Sequence, residues 1–201
     1  MSSLTLSNVS CQRGYNLLFS DVSLTLNSGD ILRVTGTNGS GKTSLLKIIA
    51  GLNVQEQGVI HLDDDAVKSE AYRSAVFYLG HLPALSNELT CLENLNFLTL
   101  LNQSIVETQA LINALEKVGL SGYENEICAK LSAGQKRRVA LAGLALSKAK
   151  VWLLDEPFTA LDPQGVEMVE AYIEQHCQQG GMCLFTTHQD SALKNQKVLA
   201  L

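Results

Sequence analysis

A glycine-rich segment between two apolar runs has the composition of a phosphate-binding loop. It follows the apolar run 31–35 and precedes the apolar run 44–50, an order that predicts strand, loop and helix. Backbone N–H groups of such a loop surround phosphates, and the helix N-terminus adds its positive dipole end. We expect Lys42 to reach the β- and γ-phosphates and the Thr43 hydroxyl to bind Mg²⁺. The ATP-binding residues predicted here are Gly36, Thr37, Asn38, Gly39, Ser40, Gly41, Lys42 and Thr43.

Two acidic residues, Asp155 and Glu156, follow a second apolar run, 151–154, and precede Pro157. Ligands of parallel α/β sheets bind at the carboxyl ends of the strands, where both acids would lie. We expect Asp155 to hold Mg²⁺ through water and Glu156 to act as general base on the attacking water. An ordinary strand that ends in a charged turn is the simpler interpretation, but the phosphate loop in the same chain favours catalysis.

A third motif, Leu-Ser-Ala-Gly-Gln at 131–135, stands about twenty residues before the acidic pair. Here the chain resembles the ATP-binding cassette (ABC) family, whose signature is Leu-Ser-Gly-Gly-Gln, and the resemblance covers essentially the whole chain. It implies that Ser132, Gly134 and Gln135 contact the γ-phosphate held by a second copy, in a head-to-tail dimer. A helix N-terminus favours such an anion. Ser132 and Gln135 also fit a helix cap, and Ala133 departs from the family pattern.

The resemblance assigns further residues around the γ-phosphate. Ala160-Leu161-Asp162 matches the loop that contacts the opposite site across the dimer. His188 follows the predicted strand 183–187 and matches the histidine that bonds the γ-phosphate and helps to orient Glu156. A structural histidine at a strand end is the alternative interpretation.

Two positions differ from the usual family pattern. His81 stands where transporters carry a glutamine, nine residues before Thr90, and it could reach Mg²⁺, water or a partner with a charge that varies near neutral pH. Arg13 replaces the aromatic residue that usually stacks on adenine. A guanidinium can stack on a purine, and Tyr15 could do so instead. The alternative interpretations are that His81 has no functional role and that Arg13 only faces solvent in a loop.

These departures, together with the short chain, resemble one branch of the family, the ATP-binding subunits of haem exporters in c-type cytochrome maturation. That resemblance implies hydrolysis of ATP to ADP and phosphate coupled to haem transport, with integral membrane channel subunits as partners at the cytoplasmic face of the bacterial inner membrane. A cassette for another substrate remains an alternative, as does a soluble ABC ATPase of translation or DNA repair. No Cys-x-x-Cys-His motif is present, so no haem site is predicted in the chain.

Composition restricts the classes of partner. The net charge is −5, and the one basic cluster, 136–138, is expected to be a solvated helix face, so nucleic acid is not an expected partner. No apolar run approaches the roughly 20 residues of a membrane span, and no signal peptide is expected. The five cysteines form no CxxC pair and are expected to be reduced thiols.

The elements that must position these motifs alternate between strand and helix. The pattern predicts an α/β core with an inserted helical lobe, about 86–148. The family resemblance implies that this is a P-loop NTPase (RecA-like) core with an N-terminal antiparallel β subdomain, within a single domain 1–201. Short strands are expected at 4–6, 22–26, 31–35, 58–62, 75–80, 151–154, 183–187 and 197–201. Capping boxes at Thr90–Glu93, Ser104–Glu107 and Ser132–Gln135 should open three helices of the lobe, and Asp162-Pro163 should open another that runs to about Gln178.

Overall fold

The computed structural model describes residues 2–101, 105–189 and 191–201. The chain divides into two compact units. The first comprises Met1–Tyr78, Ala149–Glu156 and Ile173–Leu201, and the second comprises Leu79–Lys148 and Pro157–Tyr172.

Nine strands form two sheets in the described part of the chain. The strands are β1 (Ser3–Arg13), β2 (Asn16–Asn27), β3 (Ile31–Thr35), β4 (Gln57–Leu62), β5 (Asp65–Ala66), β6 (Val76–Leu79), β7 (Val151–Asp155), β8 (Met182–Thr186) and β9 (Lys197–Ala200). The antiparallel sheet has the order β2-β1-β4-β5, and the second sheet, with parallel pairs, has the order β6-β7-β8-β3-β9. The predicted fold class, an α/β core with an N-terminal antiparallel part, is confirmed.

The long hairpin β1–β2 extends well beyond the two short strands that the sequence predicts. Its register shifts near Asn8 and Asp21, which both have a positive φ. A β-bulge inserts one residue and reverses which side of the strand faces the core. The alternation of apolar and polar residues is therefore lost over 7–21, which explains why the sequence did not predict strands there.

The centre of the parallel sheet positions the site. Every residue of β7 and β8 is buried, as expected for parallel strands covered on both faces. Asp155 pairs with Thr186 at the carboxyl ends of these two strands, and β8 pairs in turn with β3. The end of β7, the end of β8 and the loop after β3 therefore meet at one edge of the sheet.

Two helices, α1 (Lys42–Ile49) and α2 (Glu70–Ser74), lie in the first unit, whereas α6 (Pro163–Gln178) begins in the second unit and ends in the first. Helix α1 buries four aliphatic side chains in the first unit's core and is followed by Gly51, the expected C-terminal glycine, at φ 71°. Asp162 accepts a hydrogen bond from the Gly165 N–H at 3.0 Å, which confirms the predicted start of α6. Helix α2 was not predicted, because its five residues are too short for a periodic pattern.

The second unit is built from α3 (Cys91–Leu101), α4 (Thr108–Lys117), a 3₁₀ turn (Cys128–Lys130) and α5 (Ala133–Leu146). The capping boxes at Thr90–Glu93 and Ser132–Gln135 are confirmed. The third capping box was wrong in its position, since Glu107 is itself the N-cap of α4; Ser104 lies outside the described residues. Apolar side chains of α3, α4 and α5 form the core of this unit.

All five cysteines are free and buried, in agreement with the expected reduced thiols. No helix in the described ranges is both long and apolar enough to cross a membrane.

Candidate nucleotide site

The loop between β3 and α1 has the backbone of a phosphate cradle. Gly36, Gly39 and Gly41 all have positive φ values. At Gly41, which caps α1 with φ 103°, a Cβ would stand 2.9 Å from the Phe19 ring, so conformation and space both require glycine there.

Lys42 lies across this loop. Its side chain is largely buried at 9% exposure, and Nζ donates hydrogen bonds to the carbonyl oxygens of Gly36 (2.7 Å) and Thr37 (3.0 Å). The ammonium is therefore held on the inner side of the loop, where it can contact an anion bound by the backbone N–H groups.

Ser40 contributes a second polar group to the loop. Its hydroxyl oxygen is buried and has no hydrogen-bond partner within the described part of the chain. Buried hydroxyl groups in folded proteins are nearly always hydrogen-bonded, so this group is available to a ligand in the loop.

Asp155 stands beside the loop at the end of β7 and is 1% exposed. Thr43 Oγ1 donates to its carboxylate, with distances of 2.9 Å to Oδ2 and 3.1 Å to Oδ1. Two of the three residues predicted to contact Mg²⁺ are thus brought within one hydrogen bond of each other.

Glu156 follows in the left-handed backbone region, with φ 51°. Its N–H donates to Thr186 Oγ1 at 2.9 Å. His188 Nε2 lies 3.6 Å from its Oε1, with side-chain exposures of 55% for the histidine and 16% for the glutamate. The structure therefore brings His188 to the predicted general base.

The signature motif lies in the second unit, at the start of α5. Ser132 Oγ accepts a hydrogen bond from the Gln135 N–H at 3.2 Å, and the Gln135 side chain accepts one from the Ser132 N–H at 2.9 Å. A Cβ at Gly134 would stand 2.8 Å from the Ala160 carbonyl oxygen. Contact within the chain therefore requires Gly134, whatever its role toward phosphate.

The basic cluster 136–138 is not a solvated face, and that expectation was wrong. Arg137 is only 2% exposed, and Nη1 donates to the carbonyl oxygens of Gly80 (2.7 Å) and His81 (3.3 Å). The aliphatic part of the side chain packs in the interior of the unit, and the guanidinium donates hydrogen bonds to backbone carbonyl oxygens. No local pattern predicts this burial, because a run of cationic residues usually lies on a solvated surface.

The neighbouring Arg138 connects α5 to the start of α6. Nη2 lies 2.5 Å from Asp162 Oδ1, and Nη1 donates to the Val118 carbonyl at 2.8 Å. The pKa of Asp162 is lowered, first by the Gly165 N–H that it accepts and also by Arg138. The loop 160–162 is thereby held within the second unit.

The two positions that depart from the family pattern are solvent-exposed. His81 follows β6, and Arg13 and Tyr15 lie at the tip of the β1–β2 hairpin, with Tyr15 fully exposed. Their predicted contacts with Mg²⁺ and adenine stay predictions.

Comparison with known proteins identifies the family to which the chain is similar. The family model described as "ABC transporter" matches residues 19–159. A Haemophilus influenzae protein named "Cytochrome c biogenesis ATP-binding export protein CcmA" is 47% identical, over 93% of this chain and 89% of its own length. The Vibrio cholerae protein of the same name is 45% identical, over 97% and 95% of the two chains.

Solved structures agree on the fold. A putative ABC transporter ATP-binding protein from Pyrococcus furiosus has a TM-score of 0.86 at 22% identity, over 99% of this chain and 97% of that one. An ATP-binding cassette solved as a dimer in a post-hydrolysis state, bound to ADP and Pi, also has a TM-score of 0.86 at 22% identity, over 98% and 94% of the two chains.

Proposed function

The chain belongs to the ABC transporter family, and from that premise we propose that it is the ATP-hydrolysing subunit of an exporter for cytochrome c biogenesis. Two relatives more than 40% identical over nearly their whole length carry that name. The observation that carries the proposal is the joint placement of Lys42 across the loop and of Thr43 against Asp155.

The phosphates of ATP fit this loop. The Lys42 ammonium would neutralise the β- and γ-phosphate charge, and the Ser40 hydroxyl, which has no hydrogen-bond partner among the described residues, would supply a further donor. Charge-assisted hydrogen bonds to phosphate are about twice as strong as neutral ones, so loss of Lys42 should affect the site most.

Magnesium fits the adjacent pair. A hydroxyl and a carboxylate, at 2.9 Å from each other, are the hard oxygen donors that Mg²⁺ prefers. Thr43 and Asp155 would hold the ion, and we propose His81 as a further contact near it. When bound, the ion neutralises charge that develops on the phosphates.

Glu156 is proposed as the general base, with His188 beside its carboxylate to orient it and to contact the γ-phosphate. Ser132, Gly134 and Gln135 would contact the γ-phosphate bound by a second copy, since a helix N-terminus favours an anion. Either Arg13 or Tyr15 would stack on adenine.

We infer that the partner is an integral membrane channel subunit and that the complex handles haem for c-type cytochromes. The chain would then lie at the cytoplasmic face of the bacterial inner membrane, attached through that partner. His81, in the exposed loop after β6, would take part in transmitting the nucleotide state to it.

The test is complementation of a bacterium that lacks its own ATP-binding subunit for cytochrome c biogenesis. Wild-type chain should restore c-type cytochromes, measured by haem staining, and should hydrolyse ATP in membranes prepared from those cells. Lys42→Ala should lower hydrolysis by about two powers of ten or more, since each lost hydrogen bond to a charged group costs about 1.5–3 kcal/mol.

Lys47→Ala, a change of charge on the same helix outside the loop, is the matched control and should behave like wild type. Normal hydrolysis by Lys42→Ala at equal abundance would overturn the site. Active ATPase without restored cytochromes would instead leave the site intact and reject cytochrome biogenesis as the task.

A further inference from the structure

Thr186, the last residue of β8, contacts both acids of the site. Its Oγ1 accepts the Glu156 N–H at 2.9 Å and donates to Asp155 Oδ1 at 2.9 Å. The side chain is fully buried. None of the three sequence motifs includes this hydroxyl, because a threonine at the end of an apolar run is typical of an ordinary strand.

The direction of both hydrogen bonds is fixed. An amide N–H can only donate, so the Thr186 oxygen must accept from Glu156. The hydroxyl proton is then left for the Asp155 carboxylate, which can only accept when ionised. One atom therefore ties the orientation of the Asp155 carboxylate to the backbone position of Glu156.

Both acids need such a restraint. Glu156 has φ 51°, a conformation that non-glycine residues rarely adopt and that persists only where surrounding groups hold it. Asp155 has two carboxylate oxygens. The Thr186 hydroxyl donates to Oδ1 at 2.9 Å, and the Thr43 hydroxyl lies closer to Oδ2 (2.9 Å) than to Oδ1 (3.1 Å). The Thr186 hydroxyl thus orients the edge that carries Oδ2 toward Thr43.

We propose that Thr186 is a positioning residue for hydrolysis: its hydroxyl holds the Glu156 backbone and orients Asp155 at the magnesium position. The inference rests on the proposed function, because it assigns Glu156 as base and Asp155 as a metal-binding group. A purely structural role predicts something different, since valine has nearly the same shape and would fill the same space in β8.

The experiment compares Thr186→Val with Thr186→Ser in the full-length chain, together with Thr99→Val as a control. Thr99 is also buried, but its hydroxyl donates to the Asn96 carbonyl within α3, in the second unit, and not to an acid of the site. The measurements are kcat and KM for ATP hydrolysis, the Mg²⁺ concentration at half-maximal ATP binding by calorimetry, and the unfolding midpoint.

Thr186→Val should lower kcat about ten- to a hundredfold, the effect expected for a lost hydrogen bond to a charged group, with little change in KM. The Mg²⁺ concentration for half-maximal binding should rise several-fold. Thr186→Ser should stay within about threefold of wild type in both respects, because it retains the hydroxyl. Thr99→Val should leave kcat and the Mg²⁺ requirement unchanged.

Wild-type kcat and Mg²⁺ requirement in Thr186→Val would overturn the inference while the proposed function stands. Equal loss in the valine and serine variants would also overturn it, since the packing of the side chain would then be the cause. Absence of hydrolysis in wild type would instead reject the proposed function. If Thr186→Val does not fold, Thr186→Ala is compared with Thr186→Ser instead, because these two smaller side chains also differ by the hydroxyl group.

Discussion

At the scale of single residues, burial disfavours the charged form of one histidine. His176 stacks on Trp152 in the first unit, with ring centroids 3.9 Å apart and planes at 3°. Trp152 Nε1 and His176 Nε2 are buried without a hydrogen-bond partner among the described residues. Burial lowers the pKa of His176, against an opposing effect of the backbone at Lys150 and Met182. The fold therefore disfavours the protonated ring.

This pKa shift predicts a loss of stability in acid. Above about pH 6.5, the pKa of histidine in an unfolded chain, the ring is neutral in both states and contributes no pH dependence. Below that pH the unfolded chain binds a proton more readily than the folded chain, so the free energy of unfolding falls as pH falls. Urea unfolding between pH 5 and pH 8, followed by the fluorescence of Trp152, the only tryptophan, measures it.

His176→Phe, which keeps an aromatic ring, should remove this part of the pH dependence, and His61→Gln should retain it. Parallel curves for wild type and His176→Phe would show that His176 does not titrate differently in the folded state.

The candidate-site residues that the sequence predicts from their own neighbours belong to contiguous motifs. Lys42 and Thr43 are neighbours, as are Asp155 and Glu156, so each pair carries its own signal. Thr186 and Arg137 were missed, because their roles depend on distant backbone: Arg137 bonds to carbonyls 56 and 57 positions earlier in the chain. No local pattern distinguishes such an arginine from a solvated one.

At the scale of elements, α5 depends on what its first turn touches. The N-cap Ser132 and its capping box fix where the helix begins. Gly134, one residue into the helix, then approaches the Ala160 carbonyl, and Ala160 itself has φ 64°. A methyl group added at Gly134 would meet a backbone carbonyl, which cannot rotate away as the end of a flexible side chain can.

Gly134→Ala should therefore destabilise the chain by about 1–3 kcal/mol through overpacking. The better helix propensity of alanine should offset up to about 1 kcal/mol of this loss. ATP hydrolysis should fall as well, because the helix start and the loop 160–162 are displaced. Urea unfolding and steady-state ATPase assays measure the two effects.

Ala133→Gly is the matched control, a change of the same single methyl group at an exposed neighbouring position. It should cost no more than about 1 kcal/mol and leave hydrolysis near wild type. Unchanged stability and activity in Gly134→Ala would mean that the close approach to Ala160 relaxes without cost.

Elements with strong periodicity or caps were predictable, whereas those shaped by local irregularity were not. Strands β7 and β8 are apolar up to their last residues, Asp155 and Thr186, and the sequence placed both strands to within one residue. The hairpin β1–β2 lost its alternation at the bulges, and α4 begins later than its apparent capping box. In the hairpin, the shifts in register between β1 and β2 override the local alternation.

At the scale of the whole molecule, the two halves of the proposed catalytic chemistry lie in different units. Lys42, Asp155 and Glu156 belong to the first unit, and the signature segment around Ser132 belongs to the second. The exposed Ser132 at a helix start is free to contact an anion from outside its own chain. The head-to-tail dimer that the family resemblance implies would bring the γ-phosphate of a second copy to this serine.

A dimer of this kind should be trapped when hydrolysis is blocked after binding. Glu156→Gln keeps the shape of the side chain, but the amide cannot accept a proton from water, so hydrolysis should fall by about two to four powers of ten. ATP binding should persist, because Lys42 and the loop are unchanged. With MgATP the variant should elute from size-exclusion chromatography at twice the monomer mass, confirmed by light scattering, and should return to monomer when nucleotide is removed.

Two controls separate the causes. Glu167→Gln, an exposed change of the same kind on α6, should hydrolyse ATP normally and show no trapped dimer. Adding Lys42→Ala to Glu156→Gln should abolish dimerisation, because two negatively charged chains then lack the bound nucleotide that bridges them. If Glu156→Gln binds MgATP by calorimetry yet remains monomeric at concentrations well above its dissociation constant, Ser132 and Gly134 do not complete the site of a second copy, and the head-to-tail dimer is wrong.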